Sequence, residues 1–282
     1  MANLLMLKRR IKTAANVSKT TRAMQMVAVS KLKKAQEATT AGRPYAEKLM
    51  SVSQNVLGKA NGEFEHAYMK NNGKDKVLAV VIGPDKGLCG GLITNMTREI
   101  SNFDAQNKNV AYITVGKKME SAVISLQKEL VAAFKFGATL PSFEMVLPII
   151  DIIDEYFLGQ KVGKVKIIST NFTSVFAQKP SVTDLLPIVP PEAKSSTLML
   201  FEPNASKLLP PLLKHFIEMT IYQKLLESYA SEQGAKMVAM QSATDNAMDI
   251  VSDLGLEYNK GRQEKITNEI LDIGSATFSL SI

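Results

Sequence analysis

The residues most able to do chemistry lie in one turn, GPDKGLCGGL at 83–92, where a lysine, an aspartate, a cysteine and four glycines fall within ten positions. A glycine-rich turn after a strand and before a helix is where a mononucleotide fold cradles phosphate on backbone N–H groups. The spacing argues against that use. Neither GxGxxG nor GxxxxGK[ST] is present, and Lys86 precedes the glycine pair instead of following it. A structural turn is the better reading. Cys89 at a helix N-terminus could be a thiol of lowered pKa, but no histidine or second cysteine stands near it in sequence, so a small buried residue is expected. It is the only cysteine, and His66 and His215 are the only histidines, which excludes an internal disulfide and leaves no metal-ligand cluster. Asp151, Asp154 and Glu155 are spaced as one polar helix face, not as an acid–base pair. No cofactor is expected.

The elements that carry this turn read as α/β. VLAVVI at 77–82 is a continuous β-branched run, the mark of a buried parallel strand. A helix near 91–103, a strand at 110–115, a helix near 117–128, a strand at 131–136, a helix from Ser142 to Phe157 and a strand at 165–170 follow. That alternation predicts right-handed βαβ units and a doubly wound, Rossmann-like sheet over 75–203. Pro148 is expected to interrupt the third helix. Residues 170–192 read as an extended excursion with room for an edge strand, and TLMLFEP at 197–203 as the segment that closes the domain.

Long helices flank this domain. The C-terminal segment, 204–282, carries Leu212, Phe216, Met219, Gln223, Leu226, Ala230, Gln233, Met237, Met240, Thr244, Ala247, Val251, Leu254 and Tyr258 at alternating spacings of four and three, 11 of the 14 apolar. That is a heptad seam. At about 1.5 Å per residue, roughly 60 residues of helix reach about 90 Å, more than a compact domain can bury, so the helix is expected to project. Asn204 or Ser206 is expected to cap it, Pro210 and Pro211 to lie in its opening turns, and Gly274 to end it. Gly234, Gly255 and Gly261 inside the pattern point to curvature or close contact.

The N-terminal segment, 1–60, has no glycine or proline before Gly42 and a weaker seam of Leu4, Leu7, Ile11, Ala14, Ser18, Thr21, Gln25, Ala28, Leu32 and Ala35. Gly42 and Pro44 are expected to kink or interrupt it, with helix resuming from Tyr45 to about Leu57. Charge separates the segments. Residues 1–60 hold 12 Lys/Arg against 2 Asp/Glu, residues 61–205 hold 15 of each, and residues 206–282 hold 7 against 10. A basic first helix and a mildly acidic last one, leaving one domain at neighbouring termini, predict an intramolecular antiparallel coiled coil. Two other functions fit parts of this pattern: a nucleotide-dependent enzyme using 83–92, and a nucleic-acid-binding coiled-coil adaptor using 1–48. Tyr45 is the only aromatic in that basic stretch, which weakens base stacking.

Three stretches in order, TTRAMQMVAVSKLKKAQ at 20–36, DKGLCGGL at 85–92 and SEQGAKMVAMQSATDNA with NKGRQEKITNEILDI near the C-terminus, closely resemble the γ subunit of the rotary ATP synthase. The resemblance spans essentially the whole chain. It implies a coiled coil with an inserted Rossmann-like domain that serves as a rotating, non-catalytic central shaft. The shaft would stand, one copy per complex, in a threefold head of α and β subunits, with its globular end on the membrane c-ring beside the ε subunit. It implies head contacts through Arg22 and Met24 and through Lys236, Gln263 and Thr267, with lysine at 236 where the family has arginine, and a ring-facing carboxylate at Glu202, with Met199 where an aromatic is expected. The chloroplast regulatory insertion is missing, so thiol switching is not expected. Met1 and the lack of a transit peptide imply a bacterial protein, peripheral on the cytoplasmic face of the membrane. No apolar run approaches the roughly 18 residues of a membrane span.

Overall fold

A computed structural model describes residues 2–59, 66–70, 72–189 and 205–279. The chain divides into two compact units, one of Met1–Val27 with Met237–Ile282 and one of Ala28–Lys236. The division cuts through both terminal helical segments, so each helix belongs in part to the α/β unit.

Helix α1 runs Ala2–Lys59 without a break, with Pro44 inside it. The expected interruption at Gly42 and Pro44 does not occur. Proline removes one backbone bond, and packing on α5 offsets the loss: Tyr45 Oη and His215 Nε2 are 2.8 Å apart, and Gly42 lies against Gln223. Helix α5 runs Ala205–Ser279, through Pro210, Pro211 and Gly274. Gly274 therefore does not end it.

Within 28–236, β1 (Val77–Ile82), β2 (Val110–Val115), β3 (Glu129–Phe134), β4 (Lys164–Phe172) and β5 (Gln178–Leu186) form one sheet in the order β3-β2-β1-β4-β5. The first four are parallel and β5 adds antiparallel to β4 as an edge strand. All six residues of β1 are buried, as its unalternating apolar run requires. Strand β3 begins two residues before its expected start. Helices α2 (Leu92–Gln106) and α3 (Lys117–Ser125) set Met96, Ile100, Phe103, Met119 and Val123 against Val77, Ala79, Val81 and Tyr112. Helix α4 (Leu147–Leu158) has Pro148 in its opening turn, where no backbone donor is needed, so the proline starts this helix instead of interrupting it. A short 3-10 turn, Phe143–Met145, precedes it.

The predicted seams hold in both helices. Every one of the fourteen α5 positions and all ten α1 positions are buried or half-buried. In the unit of the two chain ends, Thr21 and Thr244 hydroxyls meet at 2.6 Å, the Gln25 amide donates to Gln241 Oε1 at 3.4 Å, and Leu4 lies against Gly261. Positions rise in one helix as they fall in the other, so the pair is antiparallel. In the α/β unit α5 also buries a second face, Leu209, Leu213, Ile217, Ile221 and Leu225, at a constant spacing of four. The heptad reading passed over that face.

Candidate partner-binding surfaces and the closed nucleotide crevice

In a doubly wound sheet the ligand crevice lies beyond the carboxyl ends of the strands, where the chain reverses its direction of sheet growth. Here that point is between β1 and β4, and helix α5 occupies it. The Ser228 hydroxyl donates to the carbonyl of Ile82, the last residue of β1, and the Ser231 hydroxyl donates to the carbonyl of Thr170 near the end of β4, both at 3.3 Å. Gly234 faces Phe172, whose ring lies 3.2 Å from where a β-carbon would stand. The close contact inferred for this glycine is therefore with the sheet.

The glycine-rich turn is tied into the same edge. The Asp85 carboxylate accepts backbone N–H groups from Lys117 at 2.8 Å, Phe136 at 3.1 Å and Gly137 at 2.6 Å, joining the turn after β1 to α3 and to the end of β3. Gly116 has φ 115°, and a β-carbon there would sit 2.0 Å from the Gly83 carbonyl oxygen. Cys89 is buried against Leu92 and Ala235 of α5. Burial first, and then the Glu232 carboxylate, push its thiol pKa up, with Lys236 opposing. The turn thus acts as packing between loop and helix, and its thiol is held protonated.

The expected contact residues divide by exposure. Arg22 is exposed, and Met24 is 42% exposed beside Met26 at 61% and Val27 at 55%. Gln263 and Thr267 are exposed one turn apart on α5. Lys236 is different: its ammonium pairs with Glu232 at 2.8 Å, and its side chain is 21% exposed against 7% for the glutamate. Lys236 belongs to the α/β unit, and Gln263 and Thr267 to the unit of the two chain ends. Glu202 and Met199, with all of TLMLFEP, lie outside the described residues.

One feature was missed in sequence. The heptad seam of α5 ends at Tyr258, and beyond it Ile266, Ile270, Leu271 and Ile273 stand 48%, 63%, 63% and 67% exposed. Positions 266, 270 and 273 keep the four-three spacing one face over from the seam, which is the signal that could have found them. On α1, Leu5 and Met6 are each 55% exposed. An open groove of about 610 Å³ runs between Leu4 and Leu7 of α1 and Glu257, Lys260 and Glu264 of α5.

A family model described as ATP synthase matches residues 3–280. The ATP synthase gamma chain of Dehalococcoides mccartyi is 40% identical over 285 residues, covering all of both chains. The chain belongs to the ATP synthase gamma-chain family. A gamma chain of Verminephrobacter eiseniae is 38% identical over 276 residues and 94% of each chain. Among solved structures, the rotor of the Euglena gracilis mitochondrial ATP synthase aligns with a TM-score of 0.70 at 16% identity, over 94% of this chain and 99% of that one. The central stalk and c-ring structure from Tetrahymena thermophila gives 0.61 at 23% identity, over 79% and 99%. Both likenesses, at 16% and 23% identity, concern the fold alone.

Proposed function

We propose that this protein is the central-stalk rotor of a proton-translocating ATP synthase and performs no bond chemistry itself. Its membership of the gamma-chain family over its full length carries that reading. Helices α1 and α5 form the shaft, standing in a head of alternating α and β subunits. The exposed apolar side chains from Leu256 to Ile273, with Gln263 and Thr267, supply the surface that turns against the head. Arg22 and Met24 supply a second, basic and adaptable contact: methionine accommodates several packings as the neighbour changes, and the exposed charges of α1 meet acidic segments of β. The α/β unit rests with the ε subunit on the c-ring, with Glu202 as a ring-facing carboxylate. Membrane association is then indirect, on the cytoplasmic face of a bacterial membrane; among the described residues no helix is long and apolar enough to cross one.

Two physical features support a mechanical role. A shaft must present different side chains on different sides, and the two helices differ in charge and in exposed apolar content. The crevice that an enzyme of this fold would use is filled by α5. The test is assembly. Purified chain mixed with cognate α and β is expected to enter the head as one copy and to restore ATP hydrolysis, and with the membrane sector to restore proton-driven synthesis. Failure to enter the head, or saturable nucleotide binding by the chain alone, would sink the proposal.

A further inference from the structure

Eight consecutive residues of α5, Ser228 to Ala235, are all buried. A helix enclosed on every side for two turns lies in a socket, not on a surface. The walls of this socket are the carboxyl edge of the sheet. Ser228 donates to Ile82 of β1, Ser231 to Thr170 of β4, and the Tyr229 hydroxyl to the carbonyl of Ala138, beyond the end of β3, at 3.4 Å. Helix α1 reaches the same Ala138 carbonyl through the Lys31 ammonium at 2.7 Å. Phe136 stacks on Tyr229 with ring centres 6.0 Å apart. Both terminal helices are thus fastened to one edge of one sheet, and the last fastened turn of α5 ends where the α/β unit ends, at Lys236.

We infer that this socket, with Ser228, Tyr229 and Ser231 as its positioning residues, is the joint that carries torque between the α/β unit and helix α5. The inference rests on the rotor reading. Sliding of a smooth apolar helix in an apolar groove meets little directional resistance, because hydrophobic burial is non-directional. Hydrogen bonds to three fixed carbonyls are directional and hold one rotational setting of the helix. The serines are suited to this: they are small enough for backbone approach, and each gives one donor to a strand-end carbonyl.

The experiment uses the assembled complex held by its head, with a bead on a cysteine introduced at exposed Lys108 (Lys108→Cys). Angular fluctuation of the bead is measured while a bound nucleotide analogue stalls rotation. In a Ser228→Ala, Ser231→Ala, Tyr229→Phe variant the angular variance should rise about 1.5-fold or more, since three neutral directional bonds are lost while burial is retained, and unloaded rotation and ATP hydrolysis should stay unchanged. Asn72→Ala removes structural hydrogen bonds outside the socket, from the Asn72 amide to the Phe157 carbonyl at 2.9 Å and the Val162 carbonyl at 3.4 Å. It should lower the melting temperature without widening the fluctuation. Unchanged variance in the triple variant, or equal widening by Asn72→Ala, overturns the inference. If the triple variant does not assemble, Ser231→Ala alone is read in the same way, and unchanged variance there overturns it too. A parent complex that assembles but never rotates would instead overturn the rotor reading.

Discussion

Asp85 shows how one side chain can hold a turn that resembles a ligand site. Three backbone N–H groups from two elements converge on its carboxylate, and backbone donors left without an acceptor are costly. Asp85→Ala should destabilise the α/β unit by about 2 kcal/mol or more, visible as an earlier unfolding midpoint, because charge-assisted bonds exceed neutral ones in strength. A midpoint equal to the parent's would show that water replaces the carboxylate. Lys236 illustrates the opposite relation between sequence and site. Its charge is answered by Glu232 one turn before it, a pairing legible from the i, i+4 spacing, whereas the burial of Glu232 beside Cys89 was not legible, because it depends on a loop 140 positions away in the chain.

Between helices, the paired Thr21 and Thr244 form a polar layer, with the Gln25–Gln241 hydrogen bond beside it. Each hydroxyl also lies within bonding distance of its own helix, Thr21 Oγ1 of the Val17 carbonyl and Thr244 Oγ1 of the Met240 carbonyl. Polar layers of this kind fix register at a cost in stability. Thr21→Val and Thr244→Val should therefore each cost about 1 kcal/mol, while the double variant should return to within about 0.5 kcal/mol of the parent, since matched apolar groups leave nothing unpaired. Denaturant unfolding of the four proteins measures it, and strictly additive losses would refute a coupled layer. The seams themselves were readable because heptad spacing is local. The uninterrupted passage through Pro44 was not: local chemistry predicts a break, and contacts with Gln223 and His215 on a distant part of the chain override it.

For the molecule as a whole, the division into two units separates the functions assigned to its parts. The exposed apolar tip belongs to the unit of chain ends, and the socket and sheet to the other. Progressive truncation from Ile282 should weaken entry into the head and torque before it lowers the melting temperature of the α/β unit. Prior melting of that unit would show that the tip is needed for its folding and would break this division of labour.

What the sequence determined alone were the patterns with a fixed period: two long helices with their seams, four parallel strands with their helices between, the basic-to-acidic contrast, and the improbability of phosphate binding at a turn with misplaced glycines and lysine. Each rests on spacing, which the local backbone enforces. The tertiary structure decided three further matters. It gave α5 a second buried face, set Ser228 and Ser231 on the carbonyls at the ends of β1 and β4, and left Ile266, Ile270 and Ile273 uncovered. Those outcomes depend on which surfaces remain after the sheet and helices have packed, and an apolar residue looks the same in sequence whether its own chain covers it or not.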